Sequence, residues 1–322
     1  MNPDVAGAIE DLERKGILSP GVGAFLLRVA RRELVSVRAE IRVLLYAGVL
    51  LITGGVGALV KQNLDRIGPV GVAAGIGLAA AACFFWIFWC RPPFSWGELP
   101  SPNLAFDYVL LLGVLLTAAD LAYIEVRFTP LGSAWPYHLL LVSLLAGALA
   151  IRFDSRIVLS VAMTSFAAWR SVSLPLAEPD FWADRPHAFT LNALACGAVF
   201  LVLGRLAISR SRKAHFEPVA AYMGCLVVLV GLAGCMGAES PWGMGYKIIL
   251  VGAGAAIAAW GVAGDRYGLF VLGVLGGYVG LSALALEVSE DLEVMVFWFA
   301  ASSVLLVAGL HLGRRWMLRR QE

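Results

Sequence analysis

Residues 68–89 read GPVGVAAGIGLAAAACFFWIFW, a run of 22 residues without one charged side chain. A bilayer core about 30 Å thick is crossed by about 20 mostly apolar residues in a helix. In lipid, backbone N–H and C=O groups must form their hydrogen bonds within one helix or between the strands of a closed barrel. This run is continuously apolar rather than alternating, which favours a helix over a barrel strand. The stretch therefore predicts a membrane-spanning helix.

Nine other windows of the chain have the same character. Of the 322 residues, 60% are hydrophobic and 15% are charged, against about 45–50% and about 25% in soluble domains. The predicted fold is an all-α integral membrane protein, a bundle of about ten transmembrane helices. The number of spans at 157–204 stays open, because polar residues interrupt the fifth and sixth windows. The windows are 41–60, 68–89, 106–126, 134–151, 157–174, 188–204, 217–236, 247–264, 268–287 and 292–313.

The positions of these windows divide the chain into three predicted regions. Residues 1–40 are predicted to form a short cytoplasmic helical hairpin, whose first helix ends at Gly16, a residue suited to the left-handed conformation. The second helix has one apolar side and one basic side, so it either docks on the bundle or lies on anionic headgroups. The transmembrane bundle occupies 41–313, and 314–322 form a basic cytoplasmic tail. No cleavable signal peptide is visible, so the first span is expected to direct insertion.

The placement of lysine and arginine predicts the orientation. Cytoplasmic loops carry an excess of these residues. With ten spans, both termini lie on the same side as the loops that follow even-numbered spans. That side holds 19 of the 25 basic residues, with seven before the first span, eight in loops and four in the tail. Both termini are therefore predicted in the cytoplasm, and the protein is predicted in the cytoplasmic (inner) membrane of a bacterium.

The sequence contains no recognised catalytic or cofactor motif. The five cysteines lack metal-ligand spacing, and no Walker motif, nucleophile elbow, zinc helix or dinucleotide fingerprint occurs. No metal or cofactor is predicted, and the lack of a catalytic motif favours a protein that is not an enzyme. A net charge of +2 indicates no nucleic-acid partner. The expected partners are the lipid bilayer and either another membrane protein or a second copy of the chain.

Ionisable residues inside spans are costly, so each is a candidate site. Asp120 lies six residues before Val126, about 9 Å from the outer end of its span by helix rise. Four more polar residues map to the same outer layer. One interpretation is an outward-facing polar vestibule with Asp120 as an ion- or proton-linked carboxylate and Arg170 as its counter-charge. The other interpretation is a structural ion pair between helices, in which Asp120 and Arg170 compensate each other's charge. The predicted layer consists of Asp120, Glu125, His138, Arg170 and Asn192.

Glycine spacing predicts how some spans pack. Gly273/Gly277 and Gly276/Gly280 form two G-x-x-x-G pairs in one span. Small residues at this spacing allow two helix backbones to approach closely. The predicted partner is another helix of the same bundle.

The N-terminal 70 residues carry a recognisable pattern. Residues 12–33 read LERKGILSPGVGAFLLRVARRE, a glycine-rich span follows, and the loop after it reads KQNLDRIGP. The motifs at 12–70 resemble the domain of unknown function 2157 family of predicted bacterial membrane proteins. The resemblance implies a polytopic membrane protein without an established activity. It marks Asn63, Asp65, Arg66 and Pro69 as a family-like loop, with Leu64 where the family often has tryptophan.

Three classes of function remain open. The first is a structural or accessory membrane component, which the scarcity of buried charge favours. The second is a small-solute or ion-coupled transporter that uses the outward-facing polar layer around Asp120. The third, more remote, is a membrane enzyme that acts on lipid-linked substrates.

Overall fold

The structure is a computed structural model that describes most of the chain. The described residues are 12–16, 22, 41, 43–52, 54, 55, 58, 68–90, 93–98, 105–173, 187–236, 243–288 and 291–319. No strand occurs in these ranges. By contacts the chain divides into two units, Met1–Gly55 and Val56–Glu322.

The first unit is helical where it is described. A short helix at 12–14 ends in a turn at Gly16, whose φ is +71° and whose N–H donates to the Glu13 carbonyl at 3.0 Å. The left-handed end predicted at Gly16 is therefore confirmed. The first span is described in part, as the apolar helix α1 at Val43–Ile52. The rest of the predicted hairpin lies largely outside the described residues.

The described residues of the second unit form nine α-helices. They are α2 (Pro69–Trp89), α3 (Phe106–Phe128), α4 (Tyr137–Phe153), α5 (Arg156–Val172), α6 (His187–Ser209), α7 (Glu217–Gly234), α8 (Gly243–Ala263), α9 (Tyr267–Val288) and α10 (Leu292–Arg319). Two short 3₁₀ turns, Gly132–Ala134 and Ala214–Phe216, precede α4 and α7.

Eight of these helices are long and apolar enough to cross a membrane, with α4 counted together with the 3₁₀ turn before it as Gly132–Phe153, and the all-α membrane fold is confirmed. Among the described residues, α1 and α5 do not reach that length. The 17 residues of α5 include Ser160, Thr164, Arg170 and Ser171, which reduce its apolar character. The hydroxyls of Ser160, Thr164 and Ser171 each donate to a carbonyl four residues earlier, which satisfies them within the helix.

Local chemistry explains where several helices begin and end. Pro69 opens α2 behind Gly68, whose φ is +78°. Proline suits this position because its missing N–H would have no partner within the helix. The N-cap of α5 is Ser155, whose hydroxyl accepts the Val158 N–H at 3.5 Å. Asp154, directly before it, ends α4 in the left-handed conformation.

The helices of the second unit pack mainly as four consecutive hairpins. These are α2 with α3, α4 with α5, α6 with α7 and α8 with α9, while α10 packs on α9. At the α8–α9 contact, a Cβ added to Gly254 would lie 2.4 Å from the Gly277 nitrogen and 2.7 Å from the Gly273 carbonyl oxygen. Gly273 and Gly277 thus let two backbones touch, as their spacing predicted.

The outside of the helices is apolar. Val126, Trp89 and Phe297 are 83%, 78% and 75% exposed. The most apolar 18-residue window of α10 contains no buried residue, and towards the end of the helix Met317 is buried. Such a surface would drive association in water, whereas lipid tails are as apolar as these side chains. The exposed apolar surface is what hydrocarbon requires of a spanning bundle.

The loops that follow α2, α4, α6 and α8 contact one another, and we call them the even-loop face. Glu98 pairs with Arg156 at 2.6 Å, and the Lys213 N–H donates to the Trp96 carbonyl at 2.8 Å. The loop after α8 joins them through Arg266, which pairs with Glu217 at 2.7 Å. We call the opposite ends of the same helices, where α3, α5, α7 and α9 end, the odd-loop face, and its described connection is the one that follows α3.

Candidate functional site

A carboxylate–imidazole pair joins α3 to α4 at the odd-loop face. Glu125 stands in the last turn of α3 and His138 in the first turn of α4, and His138 Nε2 lies 2.9 Å from Glu125 Oε2. Two backbone N–H groups donate to the same carboxylate, from Leu131 at 3.2 Å and from Gly132 at 2.9 Å. The Glu125 and His138 side chains are only 11% and 15% exposed. The carboxylate is thus held in one place by three neighbours.

The chain bends sharply between the two helices so that these donors can reach Glu125. Thr129 ends α3 with a φ of +46°, and Gly132 opens the 3₁₀ turn with a φ of +54°. Glycine adopts such a conformation without strain, whereas threonine does so at a cost. The hydrogen bonds to Glu125 therefore hold a bent connection in place.

Glu125 and His138 line a cavity between α3, α4 and α5, which we call the Glu125 cavity. Its volume is about 600 Å³, within the range of about 300–1,000 Å³ that is typical of small-molecule sites. Most of its wall is apolar, and its polar side chains include Thr129, Ser165 and the hydrogen-bonded pair of Glu125 and His138. The lining residues are Ala118, Leu121, Ala122, Glu125, Val126, Thr129, Gly132, Trp135, His138, Leu139, Val142 and Ser165.

Asp120 belongs to a different interface, between α2 and α3. A Cβ added to Gly77 of α2 would lie 3.2 Å from Asp120 Oδ2, so the glycine leaves room for the carboxylate. Asp120 Oδ1 is buried and has no hydrogen-bond partner among the described residues. Tyr123, one turn further along α3, packs on the buried cluster of Val72, Ile76, Ala80 and Leu116. Its buried hydroxyl likewise has no partner in the described part of the chain.

Arg170 and Asn192 lie on α5 and α6. The Arg170 guanidinium contacts the Trp169 ring, 5.7 Å from its centroid, and interacts with the Cys196 thiol of α6. Asn192 is buried, and its Oδ1 has no hydrogen-bond partner in the described ranges. No ion pair joins Asp120 to Arg170 among the described residues. Of the predicted polar layer, the structure brings together Glu125 and His138 and leaves the other three residues at separate contacts.

The family-like loop is described only at its end. Pro69 is the first residue of α2. Asn63, Asp65 and Arg66 lie outside the described residues.

Sequence reasoning missed a buried charged cluster on the even-loop face. Asp154 pairs with Lys213 at 3.1 Å and with His215 Nε2, and the three side chains are 3%, 5% and 9% exposed respectively. The Lys213 ammonium also faces the Phe94 ring, 5.5 Å from its centroid. Asp154 and His215 are 61 positions apart, so no local spacing links them. Within the described ranges, no group of three or more His, Cys, Asp or Glu side chains could hold a metal ion.

Comparison with known families bears on the N-terminal part of the chain. One family model, described as Predicted membrane protein (DUF2157), matches residues 10–159. The resemblance to DUF2157 is confirmed. The matched region contains Asp120, Glu125, His138 and Asp154, whereas Arg170, Asn192 and helices α6 to α10 lie beyond it. No curated protein and no solved structure matches the chain. This is a membrane protein of unknown function.

Proposed function

We propose that this protein is an accessory component of a bacterial cytoplasmic membrane that holds one amphipathic molecule in the Glu125 cavity. The observation that carries the proposal is the composition of the cavity wall, which is almost entirely apolar apart from the hydrogen-bonded pair of Glu125 and His138. An apolar wall with a few fixed polar groups is the usual character of a small-molecule site. The apolar body of the ligand contacts the wall, and its polar end faces Glu125 and His138.

The geometry of the pair favours binding over proton chemistry. Glu125 already accepts three hydrogen bonds. Two of them come from backbone N–H groups that cannot move away without disrupting the turn between α3 and α4. A carboxylate held in this way is pre-organised, so a ligand that approaches it causes little rearrangement. A ligand group that donates hydrogen bonds or carries positive charge suits the remaining acceptor capacity of Glu125.

The proposed orientation places both termini and the even-loop face in the cytoplasm, and the Glu125 cavity near the outer surface. The excess of lysine and arginine on the even-numbered side supports this orientation. Contacts among the loops after α2, α4, α6 and α8 support their position on one side of the membrane.

The experiment compares two alanine-to-phenylalanine variants with the parent. Ala118→Phe fills the Glu125 cavity, whereas Ala148→Phe adds the same ring on an exposed part of α4 outside the cavity wall. Each protein is purified in a mild detergent, and bound small molecules are extracted and measured by mass spectrometry. We expect about one molecule per chain in the parent and in Ala148→Phe, and its loss in Ala118→Phe. Equal amounts in all three proteins would disprove the proposal.

Transport of a small solute or ion is the second candidate function. The observation that favours it is Asp120 between α2 and α3, whose Oδ1 is buried and has no partner among the described residues. Ionisable groups in such positions mark ion and proton pathways in many transporters. Uptake or efflux measured in vesicles with Asp120→Asn tests this candidate, since a transporter would lose activity while it still inserts and purifies normally.

A further inference from the structure

Three arginines lie close together in the chain on the even-loop face, where α6 ends and the connection to α7 begins. Arg205 stands near the end of α6, and Arg210 and Arg212 follow in the connection. All three side chains are exposed. None of them has an acidic partner among the described residues. We call these three residues the arginine patch.

Acidic side chains do occur on this face, but they are paired with other cations. Glu98, Asp154 and Glu217 each form an ion pair with a basic residue outside the arginine patch. Their charges are therefore already compensated. The arginine patch keeps three positive charges that no acidic side chain in the described ranges neutralises, so its charge complement has to come from another molecule.

The backbone and a neighbouring ring hold Arg212 in place although its side chain is exposed. Its guanidinium lies over the Trp96 ring, 4.7 Å from the ring centroid. The Lys213 N–H donates to the Trp96 carbonyl at 2.8 Å, which ties the two connections together beside Arg212. Ser211 and Lys213, the residues on either side of Arg212, are left-handed with φ of +50° and +53°. Non-glycine residues keep this costly conformation where their surroundings determine it.

Exposed aromatic rings border Arg212 on the connection from α2 to α3. Trp96 and Phe94 are 48% and 44% exposed, and their ring centroids are 5.0 Å apart. Tryptophan is enriched at the level of the lipid headgroups, where one part of the ring is in contact with apolar chains and the other with water. Arginines beside exposed rings, at the ends of spanning helices, are the composition expected at the boundary between headgroups and acyl chains.

We propose that the arginine patch binds the headgroup of an anionic phospholipid, and that Arg212 contacts its phosphate group. A guanidinium presents N–H donors in a planar fork that matches two phosphate oxygens. Basic residues close to an anionic lipid surface each strengthen the attraction, so Arg205 and Arg210 raise the affinity without a fixed contact. This site lies on the even-loop face and attracts negative charge, whereas the Glu125 cavity lies on the odd-loop face and offers a carboxylate.

A charge-matched pair of substitutions tests the site. Arg212→Gln removes one charge from the arginine patch, whereas Arg127→Gln removes one exposed arginine from the odd-loop face. Each protein is mixed in detergent with phosphatidylglycerol and phosphatidylcholine that carry identical acyl chains. The lipid that is retained longest is then identified and measured by native mass spectrometry. We expect phosphatidylglycerol to be preferred in the parent and in Arg127→Gln, and its retention to fall about fivefold in Arg212→Gln.

A second variant separates the shape of the guanidinium from its charge and remains informative if Arg212→Gln does not assemble. Arg212→Lys keeps the charge and removes the planar fork, so we expect retention between those of the parent and Arg212→Gln.

Equal retention of phosphatidylglycerol in Arg212→Gln and Arg127→Gln would overturn the proposal, as would equal retention of the two lipids by the parent. Displacement of phosphatidylglycerol by an oligoglutamate peptide at equal concentration would assign the arginine patch to an acidic protein partner and would also overturn it. The test is independent of the Glu125 cavity, because Ala118→Phe should leave the lipid preference unchanged.

Discussion

Asp154 and Lys213 form a buried ion pair between two loops of the even-loop face, with Oδ1 and Nζ 3.1 Å apart. Both residues hold left-handed backbone conformations, with φ of +65° and +53°. Such conformations cost roughly 1–3 kcal/mol each away from glycine and persist where the surroundings determine them. This ion pair thus joins the α4–α5 hairpin to the α6–α7 hairpin. At both residues the backbone conformation is strained.

Removal of one charge from this pair should destabilise the protein strongly. Asp154→Asn keeps the shape and tolerates the left-handed conformation, but it leaves the buried Lys213 ammonium without its counter-charge. Such a change costs about 3–5 kcal/mol, which we expect as a lower Tm in detergent. The additional substitution Lys213→Met should recover part of the loss. Asp265→Asn is the control, since Asp265 is exposed and also left-handed. Equal Tm values for Asp154→Asn and Asp265→Asn would contradict the buried pair.

Two glycines on α8 should respond in opposite directions to alanine. A Cβ at Gly254 would meet the Gly277 backbone at 2.4 Å, whereas a Cβ at Gly252 would meet nothing within 4 Å. Gly254→Ala should force α8 from α9 and cost about 1–3 kcal/mol. Gly252→Ala should leave stability unchanged or raise it by up to about 1 kcal/mol, because alanine favours the helix. The measurement is thermal unfolding of both variants in one detergent, and a Gly254→Ala protein as stable as Gly252→Ala would argue against the close contact.

Glu125 and His138 should be energetically coupled. Glu125→Ala removes the acceptor of the imidazole and of two backbone N–H groups, and His138→Ala removes only the imidazole contact. Glu125→Ala should therefore be the more destabilising substitution. A double-mutant cycle, read from unfolding free energies, should give a coupling of about 1–3 kcal/mol for a hydrogen bond to a charged group. Additive effects would show that the pair contributes nothing to stability.

Asp120→Asn should not destabilise the protein. Because Asp120 Oδ1 is buried without a partner among the described residues, the substitution removes a costly charge and breaks no ion pair there. We expect a Tm equal to or above that of the parent, with the neighbouring Gly77→Ala as a comparison that crowds the same carboxylate. A Tm several degrees below the parent value would mean that the charge itself stabilises the α2–α3 interface.

The spans were predictable because their signal is local. The window 68–89 corresponds to α2 at Pro69–Trp89, and the window 106–126 corresponds to α3 at Phe106–Phe128. Hydrocarbon sets the length of each apolar run, so a single segment contains the information. The hydropathy signal for a span was weakest at α5. There Arg170 and several hydroxyl groups interrupt the apolar face, and the helix has only 17 residues.

The candidate site was predictable only in part. Sequence position assigned Glu125 and His138 to one layer, and they do meet, because both flank the same short connection. It could not show that Asp120 faces Gly77 rather than Arg170, since the rotation of each helix about its axis depends on packing between helices. The cluster of Asp154, Lys213 and His215 depends on contacts between separate hairpins. No motif in the sequence indicates these contacts.

The central claim is that the helices thread a bilayer so that the odd-loop and even-loop faces lie on opposite sides of it. The most direct measurement is cysteine labelling with a membrane-impermeant maleimide in intact spheroplasts and in permeabilised ones. Ser133→Cys and Arg210→Cys occupy exposed positions on the odd-loop and even-loop faces, and the parent chain with its five native cysteines gives the background. We expect Ser133→Cys to react in intact spheroplasts and Arg210→Cys only after permeabilisation. Reaction of both variants in intact spheroplasts, or of neither, would contradict the claim, and the reverse pattern would overturn the orientation.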